Sequence, residues 1–168
     1  VQLFKAEVAG PTADKITPRI KQTAKLLWGI YIGFVLIESI ILKIQGMDYF
    51  NAICHSFSTM ATGGFSTSED SINSFHNIGG IEWTIIVFMF IAATNFSLHY
   101  IFINKGKFKY FDNEEFKVYF YITIILSITI FINISIYNLS SNPTLTEFRN
   151  SLFTTVSLLT TTGFSTVD

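Results

Sequence analysis

The sequence predicts an all-α membrane protein built from repeated units of helix, re-entrant hairpin and helix. Three observations carry that prediction. Of 168 residues, 49% are hydrophobic, 16% aromatic and only 14% charged, too apolar and charge-poor a mixture for an ordinary water-soluble domain. Three apolar runs approach or exceed the roughly 20 helical residues that cross a hydrocarbon layer of about 30 Å: Leu26 to Leu42, Ile78 to Ile103 and Val118 to Leu139. Finally, the stretch Ala61-Thr62-Gly63-Gly64-Phe65-Ser66-Thr67 returns ninety-nine residues later as Thr160-Thr161-Thr162-Gly163-Phe164-Ser165-Thr166, and internal repetition is a strong sign of a repeated architecture.

The match at this offset extends beyond one glycine. Asn51 pairs with Asn150, Ser58 with Ser157, Thr62 with Thr161, and Gly64 through Thr67 with Gly163 through Thr166. Each copy follows a run free of proline and glycine, so each reads as a short helix stopping at an irregular loop.

In chain order, residues 1–25 read as a polar connector with Gly10-Pro11 and Pro18 as breakers and five cations, Lys5, Lys15, Arg19, Lys21 and Lys25. Leu26 to Leu42 supplies the first span. Within it Glu38 reads either as an ion-pathway carboxylate or, more plainly, as a group near the helix end that reaches the interface or pairs with a neighbour. Asp48 to Ala61 follows with Asp48 as N-cap; at about 1.5 Å per residue it can enter a bilayer without comfortably crossing it. Ser66 to Asn77 is polar and acidic and climbs back out. Ile78 to Ile103 is the second span, carrying Asn95 and His99, which read as interhelical hydrogen bonders in a packed bundle or, for His99, as a proton relay or ligand. Residues 105–117 form a Lys-rich loop. Val118 to Leu139 is a third span, a Ser140 to Pro143 turn follows, and a second half-helix runs from Thr144 to Leu159. The chain therefore divides into a connector (1–25), one complete unit (26–104), a loop (105–117) and the first helix and hairpin of another unit (118–168).

Charge placement tests this topology separately. The connector and the loop hold all but two of the eleven Lys and Arg residues, which places both on the cytoplasmic side and makes the hairpins dip in from outside. The exceptions are Lys43, at a helix end where it can snorkel, and Arg149 in the second hairpin. A single cysteine, Cys54, excludes an intrachain disulfide. His55, His76 and His99 have no metal-ligand spacing. The chain opens on Val1 without a basic-then-apolar leader and stops just after its second loop, so it is expected to be an internal piece of a longer polytopic protein.

Irregular backbone survives in a membrane only where protein buries it or it lines an aqueous path, since each unpaired N–H or C=O costs several kcal/mol in lipid. Gly64 and Gly163 allow positive φ and close approach of backbone, so that carbonyl oxygens can replace the water of a bare cation. The half-helices point their C-terminal ends, each roughly −0.5 charge, at these loops, and neither loop carries Lys or Arg. That sign favours a cation. Phe65 and Phe164 are expected to wedge their loops against surrounding helices.

The two glycine loops, the preceding His55-Ser56-Phe57-Ser58-Thr59 and the segment Asn95-Phe96-Ser97-Leu98-His99 resemble the Trk/Ktr/HKT superfamily of potassium transporters. The connector segments Ala6-Glu7-Val8-Ala9-Gly10-Pro11 and Lys15-Ile16-Thr17-Pro18-Arg19-Ile20 look like those of its bacterial Trk membrane subunits. The resemblance covers nearly the whole chain and implies a potassium-channel-like fold of four such units around one pore, of which one and a half are present here. It implies potassium uptake across the bacterial inner membrane, with no cofactor and potassium as the transported ion. The filter positions it implies are Thr62, Gly63, Gly64 and Phe65 in the first hairpin and Thr161, Thr162, Gly163 and Phe164 in the second. Only the second of the paired glycines is common to both copies. The resemblance further implies a homodimer of full-length pore subunits in the lipid bilayer, with a cytosolic nucleotide-binding regulatory subunit of TrkA type and no nucleic-acid partner.

Two other classes compete. A sodium or mixed-cation conductor would share this region, although the resemblance implies that glycine in both loops favours potassium. A membrane enzyme would need His55, His99 or Glu38 as acid-base groups, yet no pair of them sits at i, i+3 or i, i+4 and none recurs in both copies.

Overall fold

A computed structural model describes residues 13–75, 79–137 and 145–166, with the backbone alone at 13–20 and 137. Among the described residues every regular element is helical. Helix α1 (Ala13–Ile44) leads through Gln45 and Gly46 into the half-helix α2 (Tyr49–Met60) and the first glycine loop. A 3-10 turn (Ser71–Phe75) precedes α3 (Ile81–Ala92) and α4 (Phe96–Lys105). A second 3-10 turn (Tyr110–Asp112) leads to α5 (Glu114–Tyr137) and the half-helix α6 (Leu145–Leu159). The expected turn at 140–143, the Thr144 start, His76 and the first connector residues lie outside the described residues.

Helices α1 and α5 are long and apolar enough to cross a membrane by themselves. The half-helices are not: α2 has 12 residues and α6 has 15, about 18 and 22 Å. Asp48 starts α2 as foreseen, its carboxylate accepting from Phe50 N–H at 3.1 Å. Gly46 ends α1 at φ 113°, with its own N–H on Lys43 O and the Met47 N–H on Leu42 O, the paired bonds of a glycine helix stop.

Two expectations need correction. The first helix starts at Ala13 rather than near Leu26, so residues 13–25 are helix and not loose connector. Pro18 falls in its second turn, where the missing N–H removes a single intrahelical bond, and Lys21, Gln22, Ala24 and Lys25 beyond it are good helix formers.

The span expected from Ile78 to Ile103 is broken: α3 and α4 meet at 96° across Ala93 to Asn95. Asn95 caps α4 by accepting from Ser97 N–H at 3.0 Å, and the Thr94 hydroxyl donates back to Phe90 O at 2.9 Å. Such short polar side chains compete with the helix for backbone partners. Asn95 is thus a cap, and its amide also donates to Glu115 Oε2 of α5 at 3.5 Å, so it serves as the expected interhelical hydrogen bonder too.

Helix α1 packs on α2, α3 and α4, while α6 packs on α5 and α3. One core cluster joins the two units. It contains Leu42 and Met47 at the end of α1, Ile72 from the 3-10 turn, Ile81, Ile85 and Met89 of α3, and Phe153, Val156 and Phe164 of the second hairpin. The second hairpin is therefore docked on the first unit through its core.

Candidate functional site

Both half-helices end in the same hydrogen-bonded turn. In the first, Thr62 N–H donates to Thr59 O at 3.0 Å and Gly63 N–H to Ser58 O at 2.8 Å. In the second, Thr161 N–H donates to Leu158 O at 3.1 Å and Thr162 N–H to Ser157 O at 2.9 Å. Each pair closes a six-to-one and a five-to-two ring, the Schellman stop. That stop requires a left-handed residue, here Thr62 at φ 49° and Thr161 at φ 57°. A β-branched residue in that region is a genuine outlier, and it occurs at equivalent places in both copies. Two residues later Gly64 and Gly163 are also left-handed, at φ 67° and 85°. The sequence repeat is thus a repeat of backbone conformation.

The loops are in contact. A Cβ placed on Gly64 would lie 1.9 Å from the carbonyl oxygen of Thr162, so glycine is what admits that oxygen. A Cβ on Gly163 would meet nothing within 4 Å, and Thr161 and Gly163 are exposed while Thr162 and Phe164 are buried. Gly63 has no positive φ and only its own hairpin within 4 Å, which explains why Thr162 can stand at the matching place. The Thr162 hydroxyl is paired with that of Thr160 at 2.7 Å.

The two phenylalanines differ. Phe164 is 4% exposed and belongs to the shared core, whereas Phe65 is 82% exposed. The wedge reading holds for Phe164 and not for Phe65 within this chain. The physical reason is docking: Phe164 has the first unit beneath it. Phe164→Ala is expected to lower stability by about 3 to 5 kcal/mol, measurable as a drop in the thermal unfolding midpoint of the purified chain in detergent; an unchanged midpoint would contradict its core role.

Bracing also differs between the copies. His55 Nδ1 lies 2.7 Å from Asn51 O and Nε2 lies 3.0 Å from Ser66 Oγ, tying the ascending limb to α2. The matching Thr154 is exposed, and in the second hairpin the Ser157 hydroxyl donates to Phe164 O at 2.8 Å.

Glu38 is fully buried beside Thr59 of α2, so it does not reach the interface. His99 works as a packing group: Nε2 bonds Ile91 O at 3.1 Å across the α3/α4 break, and Nδ1 meets Tyr110 OH at 2.8 Å. His99→Gln retains a donor, so transport by the full-length protein is expected to survive. Loss of transport at normal membrane abundance would restore a relay role.

Sequence reasoning missed one charged group. Glu82 in the first turn of α3 pairs with Arg149 of α6 at 2.9 Å, with side chains 1% and 15% exposed. An acidic residue beside an apolar run was the available signal, but its partner lies 67 positions away.

Comparison with known proteins agrees with this geometry. The family model described as TrkH, cation transport protein, matches residues 1–168. Proteins named Trk system potassium uptake protein TrkH from Vibrio parahaemolyticus and Escherichia coli K12 are 38% and 36% identical over 99% of the chain. The chain spans about a third of their length, 35% and 34%. The crystal structure of the potassium transporter TrkH from Vibrio parahaemolyticus superimposes with a TM-score of 0.83 at 37% identity, over 95% of this chain and 33% of that one. With paired half-helices, matched left-handed stops and a whole-length family match, the chain belongs to the TrkH family of cation transport proteins.

Proposed function

We propose that this chain forms part of a potassium uptake pore in the bacterial inner membrane and supplies two of the re-entrant loops of its selectivity filter. One complete unit (26–104) and the beginning of the next (118–168) would stand among four around the pore. Backbone carbonyls from Thr62, Gly63, Gly64, Phe65, Thr161, Thr162, Gly163 and Phe164 would replace the hydration shell of the ion. The observation that carries this reading is that two loops alike in sequence are alike in backbone and in contact, with Gly64 directly against the Thr162 carbonyl. The half-helix ends add a field that favours cations, and the names of the relatives supply potassium as the ion.

By the same repeat relation, a preceding unit would cover Phe65 as the first unit covers Phe164. A homodimer of full-length subunits and a TrkA-type cytosolic nucleotide-binding partner complete the proposed assembly. The basic connector and the Lys105 to Lys117 loop would face that partner on the cytoplasmic side.

The test is uptake by the full-length protein in cells lacking other potassium uptake. Wild type should restore growth at low potassium and Gly163→Ser should raise sodium permeation relative to potassium. An unchanged permeability ratio would remove the filter assignment, and a wild type that passes both ions equally would favour mixed conduction. The 168-residue chain alone should not conduct, because two hairpins cannot close a fourfold ring.

A further inference from the structure

We propose that His55, Ser66 and Ser71 form a relay through which the first unit sets the register of the second filter loop, making Ser71 a positioning residue for ion selectivity. This rests on reading the two glycine loops as filter. Ser66 and Ser165 hold the same place in the repeat, immediately after Phe65 and Phe164, but they are held differently.

Ser66 is fixed within its own unit. The Asn51 carbonyl can only accept, so His55 Nδ1 carries the ring proton and Nε2 accepts from the Ser66 hydroxyl. With its one proton given to His55, Ser66 Oγ accepts from Ser68 N–H at 3.1 Å, and Ser68 O in turn accepts from Ser71 N–H at 3.3 Å, which joins Ser66 to Ser71.

Ser165 is fixed by the other unit. Its N–H donates to Ser71 Oγ at 3.1 Å, and its carbonyl accepts from Ile72 N–H at 3.1 Å. The first unit thus clamps the backbone just beyond Gly163 from both sides. Ile72 is fully buried in the shared core and anchors the clamp. The His55 ring also stands 5.1 Å from Phe75 and 6.0 Å from Phe164, centre to centre, so it packs against both the 3-10 turn that carries Ser71 and the second hairpin.

Ser71 itself is left-handed, at φ 54°, a conformation L residues avoid. The strain sits where the hydroxyl meets the neighbouring loop, a place where strained backbone serves an alignment. A filter that coordinates ions with backbone oxygens depends on such alignment.

The left-handed φ supplies the experiment. In full-length protein, Ser71→Gly removes the hydroxyl and at the same time relieves the backbone, so folding should not suffer. Ser71→Asn tolerates the conformation and restores an acceptor. Ion fluxes in liposomes should show sodium permeation relative to potassium rising roughly threefold to tenfold in Ser71→Gly, the range one hydrogen bond spans. Ser71→Asn should fall closer to wild type. Ser66→Ala breaks the relay at its other joint and should shift the ratio in the same direction, which keeps the idea testable if one variant is poorly made. An unchanged ratio in Ser71→Gly, or a Ser71→Asn no nearer wild type, overturns the relay. Gly163→Ser serves as the control: if it shifts the ratio while Ser71→Gly does not, only the relay fails; if neither shifts it, the filter reading fails as well.

Discussion

Gly64→Ala in the full-length protein is expected to abolish potassium selectivity and to damage the fold more than the same change at Gly163. Two costs combine at Gly64. A left-handed φ of 67° penalises any Cβ by roughly 1 to 2 kcal/mol. The new atom would also lie 1.9 Å from the Thr162 oxygen and 2.9 Å from its carbon. These are backbone atoms, so no rotamer change relieves the overlap and one loop must move away from the other. At Gly163 the first cost applies and the second does not, since the space is open. Gly163→Ala should therefore fold and change selectivity, whereas Gly64→Ala should lower both selectivity and the thermal midpoint. Equal midpoints for the two variants would show that the loops do not touch as described.

Separating Glu82 from Arg149 should produce the next largest effect. With side chains 1% and 15% exposed and an N···O distance of 2.9 Å, this is a buried ion pair, and removing one partner of such a pair costs roughly 3 to 5 kcal/mol. It joins α3 of the first unit to the second half-helix, while the repeat-equivalent of Arg149 is the exposed Phe50. The pair is therefore a feature of this one inter-unit contact. Glu82→Gln and Arg149→Met should each lower the thermal midpoint, and Glu82→Met with Arg149→Met should lose much less than the sum. Strict additivity in that cycle would rule out the coupling. Burial should also leave the pair's contribution nearly insensitive to salt.

Much of the fold was legible because its signals are local. Asp48 caps α2, Gly46 and Gly106 end helices at positive φ, and the two half-helices stop where the threonine and glycine runs begin. The break at Ala93 to Asn95 was equally local but was masked by its surroundings: an Asn cap and a back-bonding Thr are inconspicuous inside a long apolar run. The start of α1 is hidden for the opposite reason, because Pro18 and the nearby cations have the composition of a polar connector although a helix can carry both.

The site divides along the same line. Spacing alone determined that there are two loops of one kind and that Gly64 and Gly163 correspond, because dihedral preference belongs to a few consecutive residues. Only the tertiary structure decided that Gly64 touches Thr162, that Phe164 is buried while Phe65 is not, and that Ser71 and Arg149 bind across the unit boundary. Those contacts join residues far apart in the chain, and nothing in either partner's neighbourhood encodes the other; docking of one unit on the next supplies the missing half.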